Sequence, residues 1–537
     1  MPSSFARSLV WPRSVWQLAA GFWLLTFAIQ LWRLETLSAT YDQALFLQEL
    51  WSTAQGRLFE SSLSSVLSGG VAVGDALPWV DYLHLGQHAN ALTLLIAPLV
   101  LLAGSWALPF VQVSALTAAG LVLWRIAARR LPLALAQRIT LAYYLSGALI
   151  GPALENFHDL IWLPLLGFLV VEALLEQRII QLICCAGLLL LVREDSGLLL
   201  FSLGLWALVR RPQIRWWGAG LMVLAVTWVL LVTGWIQPSI DSSLSDRFLA
   251  EKFGHLVADP SVGTVGVVVG MLSNPMGLLQ ALVSPPGATL GFLLALSLPL
   301  LLIPLVSVDA ALLLAVPLLV ALVSQGRTAL AVTLRYVLAL VPGLYLGAVL
   351  WWEAHLQVWQ RKWIRPLWTA AVTLGLVLTL VGNPHRSLSA FVPDSFVPWV
   401  HVTPQAMLQR RKDALQALAL IPSDASVSAD TPLLPRLAQR EVAIRFPNGV
   451  RYRDRRGVER QVDWVVAFPG FYTPFTPLFK RETEQQEQIL RDLDALVSSG
   501  DYQRRYCARG LVVLQRADGI VEAPMANSGR ATDCLER

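Results

Sequence analysis

The sequence predicts an all-α polytopic membrane protein of about eleven transmembrane helices, with a small extracytoplasmic α/β domain at its C-terminus. Three observations predict it. Only 14% of the 537 residues are charged and 55% are hydrophobic, with a mean hydropathy of +0.57, whereas a soluble chain carries about a quarter charged residues. Apolar runs of roughly 15–22 residues recur through residues 1–382. From Asn383 onward the text changes to short β-patterned segments and amphipathic helices.

Arg7 and Arg13 precede the first run, Val15–Trp32, and place the N-terminus in the cytoplasm. The run is long and no small-residue cleavage site follows it, so a retained helix is expected rather than a signal peptide. Residues 33–109 then form one large outer loop. Its apolar stretch "ALTLLIAPLVLLAG" is short for a span and is expected to lie in the membrane surface. If it crossed, Arg125, Arg129, Arg130 and Arg138 would face outward, against the positive-inside rule. Phe110–Ala127, Ile139–Leu154, Leu160–Leu175 and Ile179–Val192 then alternate in direction. A sixth run returns to Arg210, Arg211 and Arg215, and Trp216–Ile236 emerges again. A polar outer loop, "QPSIDSSLSDRFLAEKFGH", is followed by two or so helices between Thr289 and Ser324, with soft boundaries from Val262. "RTALAVTLRYVLALVPGLYLGAVLWW" descends to Arg361, Lys362 and Arg365, and Trp368–Val381 places residues 383–537 outside.

In the tail, "ASVSAD", "EVAIRFP", "VDWVVAF" and "GLVVLQR" read as strands, and "PQAMLQRRKDALQALAL" and "TEQQEQILRDLDALV" as helices. From Gly519 the chain reads as a disordered end. Cys184 and Cys185 read as small core residues. Cys507 and Cys534 can pair if the tail is extracytoplasmic, a point the sequence leaves open.

The net charge of +5 does not point to nucleic acid, because much of the Arg and Lys lies in short loops between apolar runs. There is no P-loop, no Gly-x-Ser-x-Gly elbow and no His-Glu-x-x-His, which removes support for ATP hydrolysis, serine-esterase and zincin chemistry. The Asp-x-Asp at Asp492–Asp494 falls on an amphipathic helix and reads as a solvated face. Asp42, His84, His88, His158, Asp159, Glu194 and Asp195 all fall at outer helix ends or in outer loops. Ionisable groups at membrane depth are costly and commonly functional. Each has a plainer explanation: Thr40 and Gln43 fit a capping box with Asp42 in the first turn, Asp159, Asp195 or Ser196 can cap helices, Arg193 can neutralise Glu194, and His84 and His88 can be interfacial. Capping alone does not require a Glu, two His and several Asp on one side.

"YDQALFLQELWSTAQG", "LGQHANALTLLIAPL", "NFHDL", "VREDSGLLL" and "IPSDASVSADTPLLPRLAQREVAIRFP" occur in this order. Together they resemble an uncharacterised family of predicted bacterial multi-spanning membrane proteins (domain of unknown function 2079). That family is similar to the GT-C glycosyltransferases, which use polyprenyl-phosphate-linked donors. The resemblance implies a GT-C-like enzyme of the bacterial cytoplasmic (inner) membrane that transfers a sugar to an extracytoplasmic lipid, glycan or protein. Asp42 matches the first-loop acid, the expected catalytic base, and Asp159, with His158 beside it, matches the second acid. Glu194 and Asp195 match a further polar motif. Tyr41, Gln48, His88, Arg193, Arg335 and Tyr336 complete the implied substrate-binding set. The family often has an acid before Gln48 where this chain has Leu47, leaving Asp42 as the main acid of its loop. Asp159, Glu194 and Asp195 are candidates for a divalent cation, Mg²⁺ or Mn²⁺, whose need stays open. The alternative is a transporter or lipid flippase without transferase activity, against which stand the absence of a visible repeat and of midplane charges.

Overall fold

The computed structural model describes residues 11–72, 74–242, 251–256, 263–326, 328, 330–519 and 530–536. Arg7, much of the polar loop after Gln237 and residues 520–529 of the expected disordered end lie outside the described residues; residues 530–536 of that end are instead ordered, because Cys534 is buried and bound to Cys507. The chain folds as two compact units. The first comprises Met1–Ala28, His88–Thr93 and Phe110–His385; the second comprises Ile29–Gln87, Leu94–Pro109 and Arg386–Arg537. The expected division into 1–382 and 383–537 therefore differs from the one observed, since most of the first loop folds with the tail.

Helices dominate the first unit, but fewer are full spans than the sequence suggests. By length and apolarity four helical stretches can cross a membrane: Arg13–Glu35, Ala97–Arg130, Pro212–Ile240 and Ile364–Val381. Two bent pairs, Leu133–Tyr144 with Gly147–Leu154 and Gly263–Ser273 with Pro275–Leu282, raise the number to six. The expected count of about eleven is not reached among the described residues. Ile179–Leu190, Ser196–Arg210 and Val308–Val323 stop at 12, 15 and 16 residues, short of the roughly 20 that a bilayer requires. Polar loops such as "RED" end them early. The stretch expected to lie in the surface also differs. Ala97–Ala103 leads through a turn at Gly104–Trp106 into Ala107–Arg130, together an apolar run of 34 residues.

Small residues let these helices approach closely. A Cβ on Gly204, in Ser196–Arg210, would lie 2.7 Å from the Gly218 carbonyl oxygen in Arg215–Leu231. Membrane helices gain packing contacts through such small pairs because lipid supplies no hydrophobic drive between them.

The second unit is built on a five-stranded sheet in the order Ala443–Phe446, Val427–Asp430, Trp464–Ala467, Leu511–Arg516, Tyr502–Ala508. The first three strands are parallel, with Val427 opposite both Ala443 and Trp464, and the last two are antiparallel. All four predicted strands are present; Tyr502–Ala508 was not foreseen. Both predicted helices form, at Pro404–Leu418 and Lys480–Ser498. On the latter, Asp494 takes a hydrogen bond from Arg504 at 3.2 Å, a structural use of the Asp-x-Asp.

Loop and tail share one core, which is why they fold together. Val66 and Val80 are buried with Ile444, Phe446, Val465, Ile489 and Leu514. Arg411 and Arg436 both reach Glu35, at 2.7 and 2.8 Å. Cys507 and Cys534 form a disulfide that ties the last strands to the chain end.

Candidate functional site

Each unit holds part of the predicted residue set. The first unit gathers His88, His158, Asp159, Arg193, Glu194, Asp195, Arg335 and Tyr336; Tyr41, Asp42 and Gln48 belong to the second.

In the first unit, two loops are fastened together. Leu92 donates its backbone N–H to Leu191 O at 2.9 Å, drawing residues 88–93 against the loop between Ile179–Leu190 and Ser196–Arg210. Glu194 then bonds His88 Nδ1 at 2.9 Å through one oxygen and accepts the Ala89 N–H at 2.9 Å through the other. Arg193 closes on Asp195 through two bonds, one of them Nε to Oδ1 at 2.8 Å. It lies farther from Glu194 (3.9 Å) and Asp159 (4.0 Å). So Arg193 neutralises Asp195 rather than Glu194, and Asp195, although at the N-cap position, caps nothing with its side chain.

A second knot stands on the loop after Gly147–Leu154. Buried Gln112 donates to the carbonyls of Pro152 and Glu155 at 3.0 and 3.1 Å and holds that loop. Glu155 accepts the Arg335 backbone N–H at 2.7 Å and pairs with its guanidinium at 3.2 Å. His158 Nε2 stands 3.9 Å from the same carboxylate. Arg335 is thus held by Glu155, an acid just before "NFHDL" that residue pattern alone did not mark.

Several buried polar groups here make no hydrogen bond among the described residues: both ring nitrogens of His158, Oδ2 of Asp159 and the Ser196 hydroxyl. Buried polar atoms are almost always paired, and exceptions commonly mark function. The carboxylates are driven apart. Burial raises Asp159 above the ordinary value and favours its neutral acid. Burial also works against the charge of Glu194, but His88 and Arg193 outweigh it and hold Glu194 ionised. Burial, then Arg335, keeps the His158 imidazole well below its usual value and therefore neutral. Two carboxyls whose environments push their proton affinities in opposite directions are the arrangement that acid–base chemistry uses.

Adjoining these groups is an open cavity of about 110 Å³. Arg193, Asp195, Lys252, Gln325 and Tyr336 line its polar part; Leu160, Leu163, Leu199, Phe292, Pro317 and Val320 line its apolar part. Lys252 was not foreseen, although it stands in the polar loop text "AEKFGH".

The carboxylates proposed for Mg²⁺ or Mn²⁺ do not assemble as a ligand set. The Arg193 guanidinium stands among Asp159, Glu194 and Asp195, and among the described residues no group of three or more His, Cys, Asp or Glu is arranged to hold a metal ion.

In the second unit, Asp42 occupies the first turn of Tyr41–Ala54, where a helix dipole favours an anion. Thr40 stands at the N-cap without a side-chain cap bond, so the predicted capping box does not close. The Tyr41 hydroxyl donates to Leu63 O. Gln48 is fully used inside the fold: its amide donates to Ser62 Oγ (2.9 Å) and Arg440 O (3.0 Å), and its carbonyl accepts from Ser61 Oγ and Leu63 N, each at 2.9 Å. His84 is a core residue, 2.9 Å from Ser64 Oγ and 3.7 Å from the Glu49 carboxylate.

Apolar helices with polar clusters and a lined cavity at their loop ends define a helical membrane protein. The chain belongs to the family described as "Predicted membrane protein (DUF2079)", whose profile matches residues 33–513. No curated protein matches it.

Proposed function

We propose that the protein is an integral-membrane glycosyltransferase of the bacterial inner membrane. In this reading it moves a sugar from a polyprenyl-phosphate-linked donor to an extracytoplasmic lipid, glycan or protein. The observation that carries the reading is the cavity, whose charged part joins an apolar body, matching an amphiphile with an ionic head and a hydrocarbon chain. Beside it, burial shifts Asp159 toward its acid form while His88 and Arg193 outweigh burial and hold Glu194 toward its anion, a divergence of the kind group transfer uses.

In the reaction the acceptor hydroxyl oxygen bonds to the anomeric carbon as the bond from that carbon to the phosphate oxygen breaks. The phosphate leaves with the polyprenyl chain and the acceptor's proton passes to a carboxylate. Asp42, on the second unit, is the candidate base, and on the first unit His158, Asp159, Glu194 and Asp195 are the candidate donor-binding groups. The Cys507–Cys534 disulfide favours an oxidising compartment for the tail, in keeping with a cytoplasmic N-terminus and an extracytoplasmic C-terminal region.

Transfer from a radiolabelled polyprenyl-phosphate sugar, assayed on purified protein in vesicles, tests this. Asp42→Asn is expected to lower transfer by about a hundredfold or more with the melting temperature unchanged; undiminished turnover removes Asp42 from the role. The flippase alternative predicts that the labelled lipid crosses the vesicle membrane with its sugar–phosphate bond intact.

A further inference from the structure

In the second unit, a short hairpin carries its apolar side chains outward. Ser395–Phe396 and Trp399–Val400 pair antiparallel, with Phe396 opposite Trp399, and the Val400 carbonyl accepts the Asp394 N–H at 2.8 Å. Phe391 is 82% exposed, Phe396 55%, Val397 89% and Trp399 66%. Between Arg386 and Arg410 the one formal charge is that of Asp394, and its carboxylate accepts a hydrogen bond from Ser389 Oγ at 2.7 Å. Contiguous exposed apolar side chains of this size mark a surface that another phase or molecule covers.

The root of the hairpin says which. Val400 and Val402 are buried with Met407 and Phe475, and Trp32 packs against this cluster. Trp32 stands in the last turn of Arg13–Glu35, a helix long and apolar enough to cross a bilayer. In the same turn Glu35 holds Arg411, from the helix Pro404–Leu418 that follows the hairpin, at 2.7 Å. A Trp followed by Arg33 and Glu35 at the end of an apolar helix marks the headgroup layer, so the hairpin root is fixed at that depth. Two strand residues advance about 7 Å, roughly the thickness of that layer, which keeps the tip within reach of lipid. We propose that Phe391, Phe396, Val397 and Trp399 seat in the bilayer surface at the end of Arg13–Glu35, where aromatic rings set an apolar body in the acyl region and a polar edge among the headgroups. The partner is the lipid surface, and the hairpin ties the sheet-bearing unit to it by side chains as well as by chain connections. This holds whether or not the protein transfers sugar.

A nitrobenzoxadiazole label on Val397→Cys tests it, in the full chain with the free thiols removed by Cys184→Ala and Cys185→Ala and with one chain per phosphatidylcholine nanodisc, which excludes a second copy. A label on Arg456→Cys, in the exposed turn between Arg451–Arg453 and Glu459–Gln461, is the water-facing reference. Acyl-brominated phosphatidylcholine should quench the label at position 397 about threefold or more as strongly as at position 456, and aqueous iodide should show the reverse order. Iodide quenching as strong at 397 as at 456 overturns the proposal. So does a label at 397 shielded from both quenchers, because protein would then cover the tip. Phe396→Ser combined with Trp399→Ser should lower the bromolipid quenching at 397 by about half or more with the melting temperature unchanged, since both rings are exposed. Unchanged quenching in that variant removes the two rings as anchors.

Discussion

Gln48 and His158 are both buried polar side chains in segments that the sequence marks as candidate site, and they end in opposite conditions. Gln48 spends its amide and its carbonyl on Ser61, Ser62, Leu63 and Arg440. Neither ring nitrogen of His158 makes a well-formed hydrogen bond among the described residues, its polar neighbours being the Pro152 carbonyl and Glu155 at 3.9 Å, and neighbouring Asp159 keeps one oxygen unpaired. Burial alone therefore does not separate structural from functional polar groups. Satisfaction does: a fully bonded group holds the fold, whereas an unbonded one beside a cavity is available to a ligand.

Four substitutions press on this contrast. Gln48→Leu should have the largest effect on stability, about 3 kcal/mol, because it strands several buried donors and acceptors. Thermal unfolding of the full chain measures it, and turnover per folded molecule should be unchanged. If Gln48→Leu melts like wild type, the distinction fails at its structural end. Glu194→Gln should cost about 1 kcal/mol, since it removes the charge facing His88 but keeps an oxygen for the Ala89 N–H; transfer should fall about a hundredfold.

Asp430→Asn tests a buried carboxyl that is partly bonded. Asp430 Oδ2 accepts the Phe468 N–H at 3.0 Å and Oδ1 faces the Tyr472 hydroxyl at 3.4 Å, while burial pushes its pKa up to about 7. The folded state thus holds a proton that the unfolded chain releases near pH 4. This group's contribution is most favourable below pH 4, declines as pH rises toward 7 and is flat above. Melting curves from pH 5 to pH 8 should show Asp430→Asn gaining on wild type as pH rises, and a constant difference would refute the assignment. The smallest stability change is expected for Asp159→Asn, within about 0.5 kcal/mol, because burial favours its neutral form and one oxygen has no partner. Transfer should nonetheless drop about tenfold or more, and a variant of full activity would make Asp159 a bystander.

Much of the architecture was legible in residue pattern. The four tail strands and two tail helices follow from period-2 and period-3.6 alternation, which local chain geometry enforces. The pairing of Glu194 with His88, 106 positions apart, was not legible, nor was the attachment of Arg335 to Glu155 across 180 positions. Sequence reading placed these groups near helix ends but could not say which acid each cation would meet. Lys252 was hidden for the same reason, since only the fold brings it to the cavity that Asp195 and Tyr336 also line. The count of about eleven is not confirmed, because hydropathy registers an apolar run whether or not the helix is long and straight enough for a bilayer's width. Leu133–Tyr144 and Gly147–Leu154 bend by 42°, and Gly263–Ser273 and Pro275–Leu282 by 96°.

By itself the sequence determined that this chain is a membrane protein with a mixed α/β tail, because apolar content and alternation act through local transfer energies and local backbone geometry. Tertiary structure decided that Ile29–Gln87 folds with the tail, that Arg193 is spent on Asp195, and that Lys252 and Asp195 line one cavity. Those outcomes depend on which side chains distant segments bring within about 4 Å, and ion pairing at that range is a property of the packed chain rather than of residue order.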